Sequence, residues 1–349
     1  MKIIYSETHK LHAPLHEFTK HGMTPYSESP ARADKILFEL QKSDFADIIS
    51  PRQYSLDSIR AVHDLEYLHY LENIYAAWIA QGGPETGVIP DTFAVRTMGK
   101  RPEKLFNQTG YYCFDAQTPI VQKTYEAALS SAYCALTGAE MLLEGEAAVY
   151  ALCRPPGHHA GRDVYGGYCY LNNAAIAATV FTIVNQSSYL SKEAKVAILD
   201  IDYHHGNGTQ DIFYDSNRVL FVSIHANPNR AYPFFSGFAD EYGVGAGYGF
   251  NHNFPLEAPV DEGQYLKVLD QAIELIQKFS PGFLVVSLGF DTFRDDPLGD
   301  FDLSLESFSH IGEQIAQMRL PTLLVQEGGY NLQQLGECVV NMLSAFERR

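Results

Sequence analysis

The sequence predicts a single α/β domain, with a mostly parallel multi-stranded sheet covered by helices on both faces. Two observations carry this. Nearly continuous apolar runs, expected of strands buried on both faces, recur through the 349 residues. Segments with apolar residues at helical spacing separate them, as in successive βαβ units. No internal repeat, low-complexity tract or linker divides the chain, so residues 1–349 are expected to form one domain. An apolar content of 46% is enough for a large core.

The elements follow in order. Strands are expected over residues 2–5, 147–152, 195–200, 219–225, 283–288 and 322–326. Helices are expected over residues 31–41, 64–79, 124–143, 173–184, 261–279 and 304–318. Residues 81–118 fit neither period. They carry Gly82-Gly83-Pro84, Gly87, Pro90, Gly99, Pro102 and Gly110, yet also Phe93, Phe106, Tyr111, Tyr112 and Phe114. Disordered tracts are poor in aromatics. The segment therefore reads as an ordered insertion loop, a lid or an interface element.

Twenty-five basic against 42 acidic residues give a net charge of −17. Phosphate binding needs clusters of Lys and Arg, so nucleic acid is disfavoured as a partner. An acidic surface suits a cationic substrate. No run approaches the roughly 18 apolar residues that span a bilayer, and the first residues lack signal-peptide architecture. A soluble, cytoplasmic protein is expected. Cys113, Cys134, Cys153, Cys169 and Cys338 form no CxxC pair and read as reduced core thiols.

The chemistry is concentrated where strands end, the usual ligand crevice of an α/β sheet. Asp200-Ile201-Asp202-Tyr203-His204-His205-Gly206-Asn207-Gly208 follows an apolar strand. Strand alternation sends Asp200, Asp202 and His204 to one face. Asp202 and His204 look like metal ligands, and Asp291, ending the strand over 283–288, is the natural third. Three ligands leave room for water and substrate, as in catalytic rather than structural sites. Zn²⁺ suits the set, and Fe²⁺, Co²⁺ and Mn²⁺ fit it too. Pro155-Pro156-Gly157 shapes a loop carrying His158 and His159, which can move a proton to and from a water or amine. Asp200 and Asn207 are the available partners to orient the two rings. Tyr330, after Gly328-Gly329, can donate to a substrate carbonyl.

These residues resemble the arginase/deacetylase-fold hydrolases, specifically the histone deacetylase-like branch. The resemblance rests on Arg154 to His159, Gly166-Gly167-Tyr168-Cys169-Tyr170-Leu171-Asn172-Asn173, Asp200 to Gly208, Leu288 to Thr292 and Glu327 to Asn331. Tyr26 to Arg32 is similar to that family's entrance-loop segment. The resemblance implies Zn²⁺ on Asp202, His204 and Asp291, His159 as general base and acid, and His158 as its electrostatic partner backed by Asp200. Tyr330 would polarise the scissile carbonyl, Gly167 would offer a backbone carbonyl, and Tyr168 and Tyr232 would wall an aliphatic tunnel. A structural K⁺ would sit near Asp200, Asp202, His204, Ser223 and Ile224. Asn207 stands where many members carry Asp, as in class II and bacterial forms.

Within that family the 81–118 insertion resembles the polyamine-specific amidohydrolases, where such a loop builds a homodimer and narrows the tunnel. It implies a small, cationic acetylated polyamine as substrate. Glu17 and Asp115 are the first candidates to receive its ammonium groups, with Asp91, Glu85 and Glu103 behind them. Gln117 fills a place that is Glu in similar members. The main alternative is a class II-like protein lysine deacetylase. A binuclear Mn²⁺ ureohydrolase needs further carboxylates where Tyr203 and Asn207 stand, and a non-catalytic binding protein has no use for the full catalytic set.

Overall fold

A computed structural model of the chain describes residues 1–187 and 195–348. In chain order the strands are β1 (Lys2–Ile4), β2 (His16–Thr19), β3 (Gly22–Pro25), β4 (Asp47–Ile49), β5 (Ala148–Ala151), β6 (Val196–Asp200), β7 (Val219–Ala226), β8 (Asn251–Leu256), β9 (Phe283–Leu288) and β10 (Thr322–Gln326). The helices are α1 (Ala31–Leu40), α2 (Asp57–Arg60), α3 (Leu65–Ala80), α4 (Thr124–Leu143), α5 (Asn173–Ser187), α6 (Asn207–Phe213), α7 (Glu262–Phe279), α8 (Leu305–Gln317) and α9 (Leu335–Glu347).

Eight strands form one sheet in the order β4-β1-β5-β10-β9-β6-β7-β8. Every neighbouring pair in it is parallel. Each strand therefore needs a crossover, and the helices that supply them cover both faces. Alternate residues of one strand feed opposite cores. Ile3, Tyr150, Leu199, Val286 and Leu324 join α1, α7, α8 and α9 on one face. Ile4, Val149, Ile198, Val285 and Leu323 join α4 and α5 on the other. The strands over 283–288 and 322–326 and the helix over 124–143 have the expected bounds.

Register brings the carboxyl ends of the central strands to one level. Asp200 pairs with Ser223 on β7 and Ser287 on β9, and Gln326 pairs with Leu288. Residues just beyond those ends converge on one rim. The long insertion is ordered on the protein surface. Val88 and Ile120 bridge its base, and Val88, Tyr112, Cys113 and Ile120 pack with Tyr67, Tyr70, Leu71 and Ile74 of α3.

Elements absent from the sequence expectation are the β2–β3 hairpin, β4, β8, α2, α6 and α9. Strand β8 reads Asn-His-Asn-Phe-Pro-Leu: Phe254 and Leu256 pack on the core from one face, while the buried positions Asn251 and Asn253 on the other are polar. Asn251 and Asn253 both donate to Oε1 of Gln210, at 2.9 and 2.8 Å. A polar layer under one edge of the sheet thus hides the apolar run that marks a strand.

Candidate active site

The loop after β5 sets the two histidines. Gly157 lies so close to the loop before α5 that a Cβ there would stand 2.5 Å from the Asn173 amide nitrogen. Glu327, just after β10, accepts from the backbone N–H groups of Gly157 (2.7 Å) and His158 (3.2 Å). The two rings then lie 4.0 Å apart, centroid to centroid. His158 Nδ1 is 3.0 Å from Asp200 Oδ2, and His159 Nδ1 is 2.7 Å from Asn207 Oδ1. Each acceptor fixes the proton on Nδ1, which leaves Nε2 of His159 with its lone pair.

These partners separate the two rings electrostatically. Burial works against charge on His158, but the carboxylates of Asp200 and Asp202 outweigh it and push its pKa up to about 10. Burial, and then the positive charge of His158 beside it, hold His159 well below its ordinary value. At neutral pH His158 is an imidazolium and His159 a free base. Adjacent groups with pKa values driven apart in this way commonly divide acid and base roles.

Asp202 and His204 follow β6 and Asp291 follows β9, and their ligand atoms lie within 4.8 Å of one another. His204 Nδ1 stands 3.2 Å from Asp202 Oδ1 and 3.0 Å from Asp291 Oδ2. Two glycines make room for the carboxylates. A Cβ at Gly289 would meet Asp202 Oδ2 at 2.2 Å, and one at Gly328 would meet Oδ2 of both Asp202 and Asp291 at 2.5 Å. Burial, and then the Asp202 charge beside it, push the Asp291 carboxyl above the usual carboxylate range. Two buried carboxylates facing one imidazole are costly without a cation between them. Two oxygens and one nitrogen, with space left for further ligands, fit a catalytic divalent metal.

A cavity of about 250 Å³ opens above this set, lined by His159, His204, Gly167, Tyr168, Tyr232, Tyr330 and Gln117. Tyr203, Arg230, Ala231 and Leu298 complete it and were not expected from the sequence. Gly329, at φ 112°, makes the turn that presents Tyr330, and a Cβ there would strike Phe290 and Leu335. Asp296 Oδ2 accepts from the backbone N–H groups of Tyr330 (2.6 Å) and Asn331 (3.0 Å). The Arg32 guanidinium lies 4.6 Å from the Tyr330 ring centroid. Burial pushes the phenol well above its ordinary value despite that cation. Tyr330 is therefore a neutral O–H donor.

The segment Tyr26 to Arg32, expected as an entrance loop, sets Tyr26 edge-on to Tyr168, with centroids 5.4 Å apart, and turns its charged residues inward. Glu28 and Arg32 are buried, and Arg32 donates to the carbonyls of Gly329 and Glu327, each at 2.6 Å. Arg32 and Arg154 both pair with Glu28. This part of the segment supports the Tyr330 turn from below.

The expected substrate acids do not open onto the cavity. Asp115 uses Oδ1 for the Gln117 amide and the Thr118 hydroxyl, and Oδ2 for the Gly167 amide (2.7 Å) and the Tyr232 hydroxyl (2.8 Å). Its geometry is that of a brace for the cavity wall. Glu17 is buried, with Oε1 accepting from Ser27 and Oε2 lacking a partner. Asp91, Glu85 and Glu103 are exposed on the insertion, and none lines this cavity. Tyr168 is held in the left-handed region, φ 66°, and its amide donates to Thr118 Oγ1 at 3.0 Å. Tyr232 stands edge-on to His159, with centroids 5.0 Å apart. Ser223 and Ile224 are buried on β7, beside Asp200.

Residues 26–346 match the histone deacetylase domain. The chain belongs to the histone deacetylase family. It is 44% identical to acetylpolyamine amidohydrolase 2 of Pseudomonas aeruginosa, over 99% of both chains. Identity to the acetylpolyamine amidohydrolase of Mycoplana ramosa is 41%, over 98% of both. The crystal structure of an acetylpolyamine aminohydrolase from Burkholderia pseudomallei superposes with a TM-score of 0.92 at 37% identity, covering 99% of this chain and 98% of that one. Among the described residues no helix is long and apolar enough to cross a membrane.

Proposed function

We propose that the chain is a zinc-dependent amidohydrolase that converts an acetylated polyamine and water into the free polyamine and acetate. The observation that carries this is the convergence of Asp202, His204 and Asp291 in one ligand set whose His204 lines a tyrosine-walled cavity together with His159 and Tyr330. The names of the similar proteins supply the substrate class. Zn²⁺ held by the two carboxylates and the imidazole would polarise the acetyl carbonyl and acidify the attacking water.

The chain's own residues do the rest. Nε2 of His159 takes a proton from the attacking water and later delivers it to the departing amine nitrogen. Tyr330 donates its O–H to the carbonyl oxygen, where negative charge develops. The Gly167 carbonyl accepts from the scissile N–H. His158, paired with Asp200, keeps a positive charge beside the reacting groups. Tyr168 and Tyr232 enclose the methylene chain of the substrate.

K⁺ would lie against the oxygens of Asp200, Asp202, His204, Ser223 and Ile224, and the pairing of Asp200 with Ser223 supports it. A homodimer through residues 81–118 is supported by Val95 and Met98, which are 50% and 62% exposed there. Its check is the molecular mass in solution. Five unpaired cysteines among the described residues support a reducing, cytoplasmic setting.

Turnover of acetylputrescine and acetylspermidine should exceed that of an acetyl-lysine peptide by metal-reconstituted protein. The reverse preference would favour the protein lysine deacetylase, which shares every catalytic residue. Tyr330→Phe should lower kcat by about 100-fold or more, and near-normal turnover would remove Tyr330 from the mechanism.

A further inference from the structure

A second cluster of metal-ligating side chains lies beside the first. His158, Cys169 and Glu327 are all buried and each brings one ligand atom within 4.8 Å of the other two. Nitrogen, sulfur and oxygen together suit Zn²⁺. Glu327 is fully buried, and while Oε2 binds two backbone amides, Oε1 has no hydrogen-bond partner. A buried carboxylate oxygen in that state carries a desolvation penalty that a cation would relieve. The Cys169 thiol donates to the Gly167 carbonyl at 3.2 Å and lies against the His159 backbone amide, both weak contacts for a sulfur. His158 has Nδ1 committed to Asp200, which leaves Nε2 for a metal. A carboxylate behind a ligating imidazole is the usual outer support of a metal site.

We propose that His158, Cys169 and Glu327 form a second, inhibitory binding site for Zn²⁺ or a similar divalent cation. The ion takes Nε2 of His158, Sγ of Cys169 and a carboxylate oxygen of Glu327. Binding releases two protons to solvent, one from the Cys169 thiol and one from Nε2 of His158. His158 Nε2 stands 3.8 Å from Asp202 Oδ1, a ligand atom of the first set. Repulsion between two ions so placed makes this the weaker site. Its occupancy ties up His158, whose ring lies 4.0 Å from that of His159, and sets a second cation against the first ligand set, so activity falls as free zinc rises beyond one equivalent. Inhibition rests on the amidohydrolase reading; binding does not.

The test is a Co²⁺ titration of the metal-free, full-length protein, followed by near-ultraviolet absorbance. The first equivalent, on two carboxylates and an imidazole, should give no thiolate-to-cobalt band, and the second should give one. Cys169→Ser, nearly isosteric, should keep the first step and lose the band. In that variant the Zn²⁺ concentration that halves turnover should rise at least about tenfold. Glu327→Gln should weaken the second step as well. A second equivalent without a thiolate band, or a band that persists in Cys169→Ser, overturns the site. Zinc inhibition unchanged in Cys169→Ser overturns its inhibitory role. Lack of amidase activity at one equivalent counts against the proposed function alone, because the band still decides this site.

Discussion

At the floor of the cavity, Asp200, Asp202, Asp291 and Tyr330 leave the carboxyl ends of β6, β9 and β10, or follow within a few residues. At its wall, Gln117, Gly167, Tyr168 and Tyr232, with Asp115 braced behind them, come from loops outside any strand of the sheet. The floor is positioned by sheet register, in which a one-residue slip would turn every side chain to the other face. The wall is positioned by a few side chains acting as props, Asp115 above all. Chemistry is thus fixed by the fold, and the choice of substrate by replaceable loops.

The largest effect should come from the floor. His159→Ala removes the base and acid in one step and should lower kcat by about 10²–10⁴-fold, with KM little changed. Turnover within tenfold of the parent would show that another group moves the proton. Next is the brace in the wall. Asp115→Asn disturbs the bonds from the Gly167 amide and the Tyr232 hydroxyl, at a cost of about 1–3 kcal/mol. A lower denaturant midpoint and a raised KM should appear together. If kcat fell and KM did not, Asp115 would belong with the floor.

A smaller and more specific effect is expected at Asn207. His159 lies well below 6.5, so its neutral form persists as pH falls through that value. The acid limb of kcat/KM should therefore lie below pH 6.5, and the alkaline limb near 10, where His158 loses its charge. Asn207→Asp places a carboxylate against His159, favours its protonated form and should move the acid limb upward by roughly 1 pH unit. The smallest change is at the rim, where Gln117→Glu adds a negative charge to the lining. About 1 kcal/mol of attraction for a cationic substrate should lower its KM about fivefold, with less effect at high salt. An equal fall in KM for an uncharged acetyl amide would rule out that explanation.

The same division explains what the sequence reveals. Asp202, His204, Asp291, His158 and His159 stand in short local patterns at the ends of apolar strands, and the structure brings them together as the spacing implies. Arg230 and Leu298 line the cavity without any local pattern, because the contacts that put them there are long-range. Arg230 is held by Asp300, a partner 70 residues away. Glu17 and Asp115 look like free acids in the sequence and turn out to be engaged or buried by the loops around them. In the fold, β8 escaped notice because its fully buried positions are Asn251 and Asn253. The short β4 has only three residues, and α9 begins at Leu335 after an N-cap residue, Gln334, that makes no side-chain cap to announce it.

Strand β10 lies in the middle of the sheet, between β5 and β9, although it is the last strand of the chain. Without β10 the sheet would fall into two parts, β4-β1-β5 and β9-β6-β7-β8, each with a bare edge. Such edges invite pairing with the wrong neighbour. Strand β10 closes both edges at once. The same stretch carries Gly328 and Tyr330 to Asp202 and Asp291, so the strand that joins the two halves of the sheet also completes the centre.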